Sequence, residues 1–196
     1  MFSEANGCSN RRHTWIVIAA VLGAAVSLLL LTFVVAAEPG NGLGTVVWLD
    51  GPAEAQVGAD ITVTISISDV TGLYGGEFFL SFDPADLQVV DADGGAPGVQ
   101  ITPGDCPQPD FVVLNSADNT AGTVGYAATQ LGGPPPGTQD CDVAHIRFQT
   151  QQAASTVISF TSFLLSDIDA GTIPATSKDL SLDIRYYVYV PLVIRE

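Results

Sequence analysis

YGGEFFLSFDPADLQVV, residues 74–90, is the stretch whose reading decides the fold. Phe78, Leu80 and Phe82 fall on one side of an extended chain, and Glu77, Phe79 and Ser81 on the other. Period-2 alternation of this kind marks a strand with one buried face. Asp83-Pro84 closes that strand, because proline has no N–H for a ladder and its fixed φ suits a turn. Leu87, Val89 and Val90 restart an apolar run. The stretch therefore reads as two β-strands joined by an Asp-Pro turn.

Working outward, ITVTISIS (residues 61–68) alternates even more cleanly, with Ile61, Val63, Ile65 and Ile67 inward and Thr62, Thr64, Ser66 and Ser68 outward. Residues 45–49, 99–102, 111–115, 123–129, 142–150, 156–160, 163–166 and 179–184 have strand character, separated by loops rich in Gly, Pro and Asp. The loops include DADGGAP (residues 91–97), PGDCPQP (residues 103–109) and the stiff GGPPPG (residues 132–137). About nine to ten short strands at regular spacing predict an all-β fold, a two-sheet antiparallel sandwich or jelly roll. No segment repeats itself at a 20–50-residue period.

The start of the chain has a different chemistry. Arg11 and Arg12 precede an apolar run over residues 15–37 that ends in Val35-Ala36-Ala37. That is the pattern of a secretory signal peptide. The run is also long enough to cross a bilayer core of about 30 Å as a helix, so an uncleaved N-terminal anchor is the alternative. Thr14 interrupts a twin-arginine pattern, which favours the general secretory route. Residues 38–44 (EPGNGLG) read as a linker and residues 45–185 as one domain. Either way, the expectation is a secreted or cell-surface protein.

Charge agrees with that location. The chain has 6 Lys and Arg against 21 Asp and Glu, a net charge of −15. Beyond residue 37 the only basic side chains are Arg147, Lys178, Arg185 and Arg195. Such a surface repels nucleic acid and anionic membranes, so membrane contact is expected only through the N-terminal segment. Of 3 cysteines, Cys8 precedes the apolar run, leaving Cys106 and Cys141. In an oxidising compartment these two are expected to pair, at about 4 kcal/mol on the loop-entropy model. Two free thiols are the alternative. Two cysteines without nearby histidines complete no zinc shell, so no metal is expected.

Catalytic chemistry is hard to assemble. His145 is the single histidine beyond residue 37, and it alternates outward from Ala144 and Ile146. No spacing pairs it with a nucleophile, and no phosphate-cradling loop occurs. A carboxylate pair for glycoside hydrolysis would draw on acids that mostly sit in turns, where Asp bonds its own backbone. Asp91 with Asp93, and Asp167 with Asp169, could offer oxygens to calcium, but neither completes a calcium loop. No cofactor and no enzyme activity are expected.

The ordered set VGADITVTISISDV, GGEFFLSFDPADLQVV, GTVGYAATQ, DVAHIRFQT and ISFTSFLLSDIDA resembles cohesin domains in order and spacing, across residues 46–184. Cohesins are nine-stranded jelly rolls of bacterial scaffold proteins that bind dockerin modules. The resemblance implies docking on one flat sheet face, across the strands at residues 75–82 and 123–130. Its outward residues would be Glu77, Phe79, Ser81, Gly125, Ala127 and Thr129. Glu77 falls where cohesins commonly carry an acid that accepts hydrogen bonds from the dockerin helix, and Phe79 would be an exposed aromatic anchor. Gly75 stands where many members carry Asn, and Gly125 and Ala127 where they carry larger apolar residues, so this face is smoother.

Two other functions fit the same architecture. A carbohydrate-binding module would need exposed aromatics in a row, which Trp48, Tyr74 and Tyr126 do not obviously form. A structural surface or filament subunit would use the aromatic, β-branched tail RYYVYVPLVIRE at residues 185–196. That tail resembles an ending of many secreted bacterial proteins, which implies a sorting or attachment signal. Alternatively residues 186–196 add a strand at a sheet edge, the only place Pro191 is tolerated.

Overall fold

The computed structural model describes residues 44–134 and 136–187. The expected N-terminal export segment, most of the linker and residues 188–196 of the tail lie outside the described residues. Those described form twelve strands and no α-helix: β1 (Val46–Asp50), β2 (Glu54–Gln56), β3 (Asp60–Val70), β4 (Gly75–Ser81), β5 (Leu87–Val89), β6 (Thr102–Pro103), β7 (Phe111–Asp118), β8 (Thr123–Thr129), β9 (Gln139–Thr150), β10 (Ala154–Ser166), β11 (Thr176–Lys178) and β12 (Leu180–Arg185). One sheet runs β11-β1-β3-β9-β5 with β6 against β9; the other runs β2-β12-β10-β4-β8-β7.

The sandwich is the expected one, and its core follows the alternation. From the first sheet Val47, Leu49, Val63, Ile65, Ile67, Ile146 and Phe148 point inward; from the second come Phe78, Leu80, Val124, Tyr126, Ile158, Leu165 and Leu182, all buried. Each such side chain contributes roughly 1.5–3 kcal/mol of transfer free energy. Phe82 meets Phe148 edge to face, ring centroids 5.2 Å apart, tying the two sheets at the end of β4. Tyr126 lies in this core, so it offers no platform to a sugar.

The Asp-Pro turn does more than reverse the chain. Asp83 accepts the backbone N–H of Asp86 and Leu87 at its carbonyl and that of Ala85 at Oδ1. The turn so formed carries the chain out of one sheet and into the other, because β4 pairs with β10 and β8 whereas β5 pairs with β9. Gly122 sits beside it with φ +69°, and a Cβ there would run into the Phe82 carbonyl. Only glycine fits both the backbone angle and the approach.

Several local expectations are corrected. Residues 156–160 and 163–166 are not two strands but one, β10, with Thr161 extruded between Phe160, opposite Leu80, and Ser162, opposite Phe79. An extra residue of this kind breaks the alternation and mimics a strand end. The expected strand at residues 99–102 is reduced to an isolated bridge, Val99 to Ala117, and the two-residue β6. Residues 116–118 continue β7 rather than opening the turn. The antiparallel expectation fails at two edges, where β11 joins β1 and β2 joins β12 in parallel. The three-residue β2 is too short to carry a periodic signal.

Candidate functional site

The outer face of β10-β4-β8-β7 is a grid set by strand register. Its rows run Ser166-Gly75-Thr129-Phe111, Leu164-Glu77-Ala127-Leu114, Ser162-Phe79-Gly125-Ser116 and Ser159-Ser81-Thr123-Asp118. All six residues expected on the face, Glu77, Phe79, Ser81, Gly125, Ala127 and Thr129, share it. Glu77 stands opposite Ala127 and Phe79 opposite Gly125.

Phe79 is half-buried, yet it is not in the core. A Cβ on Gly125 would come 3.2 Å from Phe79 Cε1 and 2.9 Å from Leu114 Cδ2. The ring and the leucine therefore lie over the glycine, and the missing side chain is what lets the aromatic lie flat on its own sheet. Phe79 and Leu114 thus meet over Gly125 in the middle of the face. On one side a hollow of about 440 Å³ is lined by Ser116, Asp118, Thr123 and Ser162. On the other, a smaller hollow of about 290 Å³ is lined by Glu77, Val113, Ala127 and Leu164.

The face is graded. At the Gly75 end, Phe111 (55 % exposed), Val113 (64 %) and Leu164 (46 %) present apolar surface. At the Ser81 end, hydroxyls and Asp118 dominate. Asp118 Oδ1 accepts the N–H groups of Ala121 and Thr120, which hold its carboxyl below the ordinary range. Glu77 is exposed in the middle and has no ion pair among the described residues.

Sequence reasoning missed the flanking strands. Leu164, Val113, Leu114 and Phe111 complete the face from β10 and β7. Thr161 hid the phase of β10, and Val113 is itself an extra residue between Val112, opposite Ala128, and Leu114, opposite Ala127.

Elsewhere, Cys106 and Cys141 form a disulfide with Cα atoms 5.7 Å apart. The acids weighed for calcium are occupied by turns. Asp91 Oδ1 accepts the N–H of Gln100 and Asp93, and Asp167 Oδ1 those of Asp169 and Gly171. No group of three or more His, Cys, Asp or Glu among the described residues is disposed to hold a metal. His145 lies on the outer face of the other sheet with Nδ1 3.1 Å from Thr64 Oγ1.

A two-sheet sandwich with the outer face of β10-β4-β8-β7 left open is the architecture of a known family. The sequence model of the Cohesin domain matches residues 45–179, so the chain belongs to the cohesin domain family, a family of non-catalytic binding modules. A type II cohesin domain from the cellulosome of Acetivibrio cellulolyticus superposes with a TM-score of 0.61 at 19% identity, covering 71% of this chain and 95% of that one. A non-cellulosomal cohesin from Archaeoglobus fulgidus gives 0.57 at 18%, covering 72% and 91%. A structure of a type I cohesin–dockerin complex from Clostridium thermocellum gives 0.59 at 14%, covering 74% and 95%. No curated protein is similar enough in sequence to count as a match.

Proposed function

We propose that this protein is exported and captures a dockerin-type protein module on the outer face of β10-β4-β8-β7, within a secreted or cell-surface assembly linked to polysaccharide use. Residues 1–37 then act as the signal peptide or anchor, and residues 38–44 tether the domain. The observation that carries the reading is Glu77 beside Phe79 at the centre of an open, graded face. Glu77 supplies an acceptor for donors on a docked helix, and Phe79 supplies area that a partner can cover at little entropic cost. Leu164, Val113 and Phe111 form the apolar half of the contact. The smooth floor at Gly125 and Ala127 selects a partner of its own rather than those of larger-residue cohesins.

The test is capture of dockerin modules by immobilised protein. Binding by the unaltered chain, lost in the double substitution Glu77→Ala with Phe79→Ala while the fold persists, supports the reading. Failure to capture any dockerin module, those encoded by the same organism included, sinks it.

A further inference from the structure

A second cleft lies away from this face. It lies on the outer surface of the opposite sheet, has a volume of about 500 Å³, and is walled by Trp48 and the disulfide Cys106–Cys141. Its floor follows from register: Trp48 stands opposite Ser66, and Ser66 opposite Asp142. The far wall is the loop 104–106, whose N–H groups bond the carbonyls of Val143 and Asp142. Gly104 permits this, since a Cβ there would collide with the Asp142 carbonyl. The loop explains why Ser66, outward by alternation, is only 5% exposed. The disulfide pins that loop to β9, so the cleft is preformed.

The polar groups of the cleft are mostly acceptors. Asp142 Oδ1 accepts Ser66 Oγ at 2.8 Å and Asp140 Oδ1 accepts the Asp69 N–H at 2.9 Å. Among the described residues the second oxygens of both, and the carboxylate of Asp105, take no hydrogen bond or ion pair. A matching ligand needs a flat apolar side for the indole and a rim of donors for the acids. A metal ion offers no apolar side, and the acids lack a metal-holding arrangement. Lys178, opposite Trp48 in register on the neighbouring strand, already sets a positive charge beside the cleft, which disfavours a second cation there. A neutral pyranose has the required form: a C–H face for stacking and hydroxyl donors around its edge.

We propose that this cleft binds a neutral saccharide, its ring against Trp48 and its hydroxyls donating to Asp105, Asp140 and Asp142. Size fits too, since a few hundred cubic ångströms is usual for small-molecule sites. The site and the docking face belong to opposite sheets, so one module can hold a glycan and a protein together.

The test is calorimetric titration of the full chain with cello-, xylo-, malto- and N-acetylchito-oligosaccharides. At least one series binds, with an affinity that high salt leaves unchanged. Trp48→Ala weakens it at least about tenfold, and so does Asp105→Ala, a loop substitution that spares the sheet should the first variant fold poorly. Glu77→Ala and Phe79→Ala leave it unaltered, which separates this proposal from the docking reading. Failure of all four series, or binding that survives both cleft variants, overturns it. Capture of an arginine-rich peptide by the cleft, with every sugar inert, overturns it as well.

Discussion

The ring of Phe79 rests on Gly125, with Leu114 closing over the same glycine from the neighbouring strand. The contact puts an aromatic at the surface without leaving it loose. A larger residue at position 125 must push that ring off the sheet. Gly125→Leu is therefore expected to leave secondary structure intact by circular dichroism and to weaken partner capture at least about tenfold. Gly125→Ala, which meets only movable side chains, has a smaller effect. Equal capture by the leucine variant would mean that the ring position does not matter.

Phe78 and Phe79 are neighbours with opposite surroundings. Phe78 is fully buried, so Phe78→Ala is expected to cost about 3–5 kcal/mol in urea unfolding. Phe79→Ala, which removes a half-buried ring on the outer face, should cost clearly less, about 1–2 kcal/mol. Similar losses for the two would contradict the alternation on which the sandwich is built.

The disulfide closes a loop with a sequence separation of 35. Cys106→Ala with Cys141→Ala is expected to lower unfolding free energy by up to about 4 kcal/mol. The same variant should loosen the wall of the Trp48 cleft, seen as faster amide exchange at Asp105 and Cys106.

Acid should weaken the turns. Asp91 and Asp118 hold their carboxyls below the ordinary range because backbone N–H groups bond the ionised form. Their stabilisation is complete above the unfolded value of about 3.9 and fades as pH falls through the lower folded value. Asp118→Asn keeps an acceptor but no longer titrates. Melting temperature of the natural protein is thus expected to fall more steeply than that of the variant below about pH 4. Parallel curves would show that Asp118 takes no part.

Gly122 is held at φ +69° against the Phe82 carbonyl. Gly122→Ala is expected to destabilise by more than about 1 kcal/mol, through both the angle and the collision. Urea unfolding measures it, and an unchanged midpoint would contradict the tight approach.

Inward and outward positions on β3 and β4 were legible because period-2 alternation is a local property: each residue's side depends only on its neighbours in an extended chain. That was enough for a sandwich, for the six face residues on β4 and β8, and for an Asp-Pro strand end. Pairing partners are another matter. Backbone ladders are chemically alike, so nothing within residues 74–90 says that Asp83-Pro84 crosses between sheets or that Leu164 stands beside Glu77. Extruded residues at Val113 and Thr161 shift the phase and conceal which side chains join the face. Asn119 shows the same limit: its amide bonds both the N–H and the carbonyl of Val89, joining the β7–β8 turn to the other sheet. Only the assembled fold brings Trp48, Asp142 and the Cys106 loop around one cleft, because segments far apart in sequence meet through long-range packing that no local pattern records.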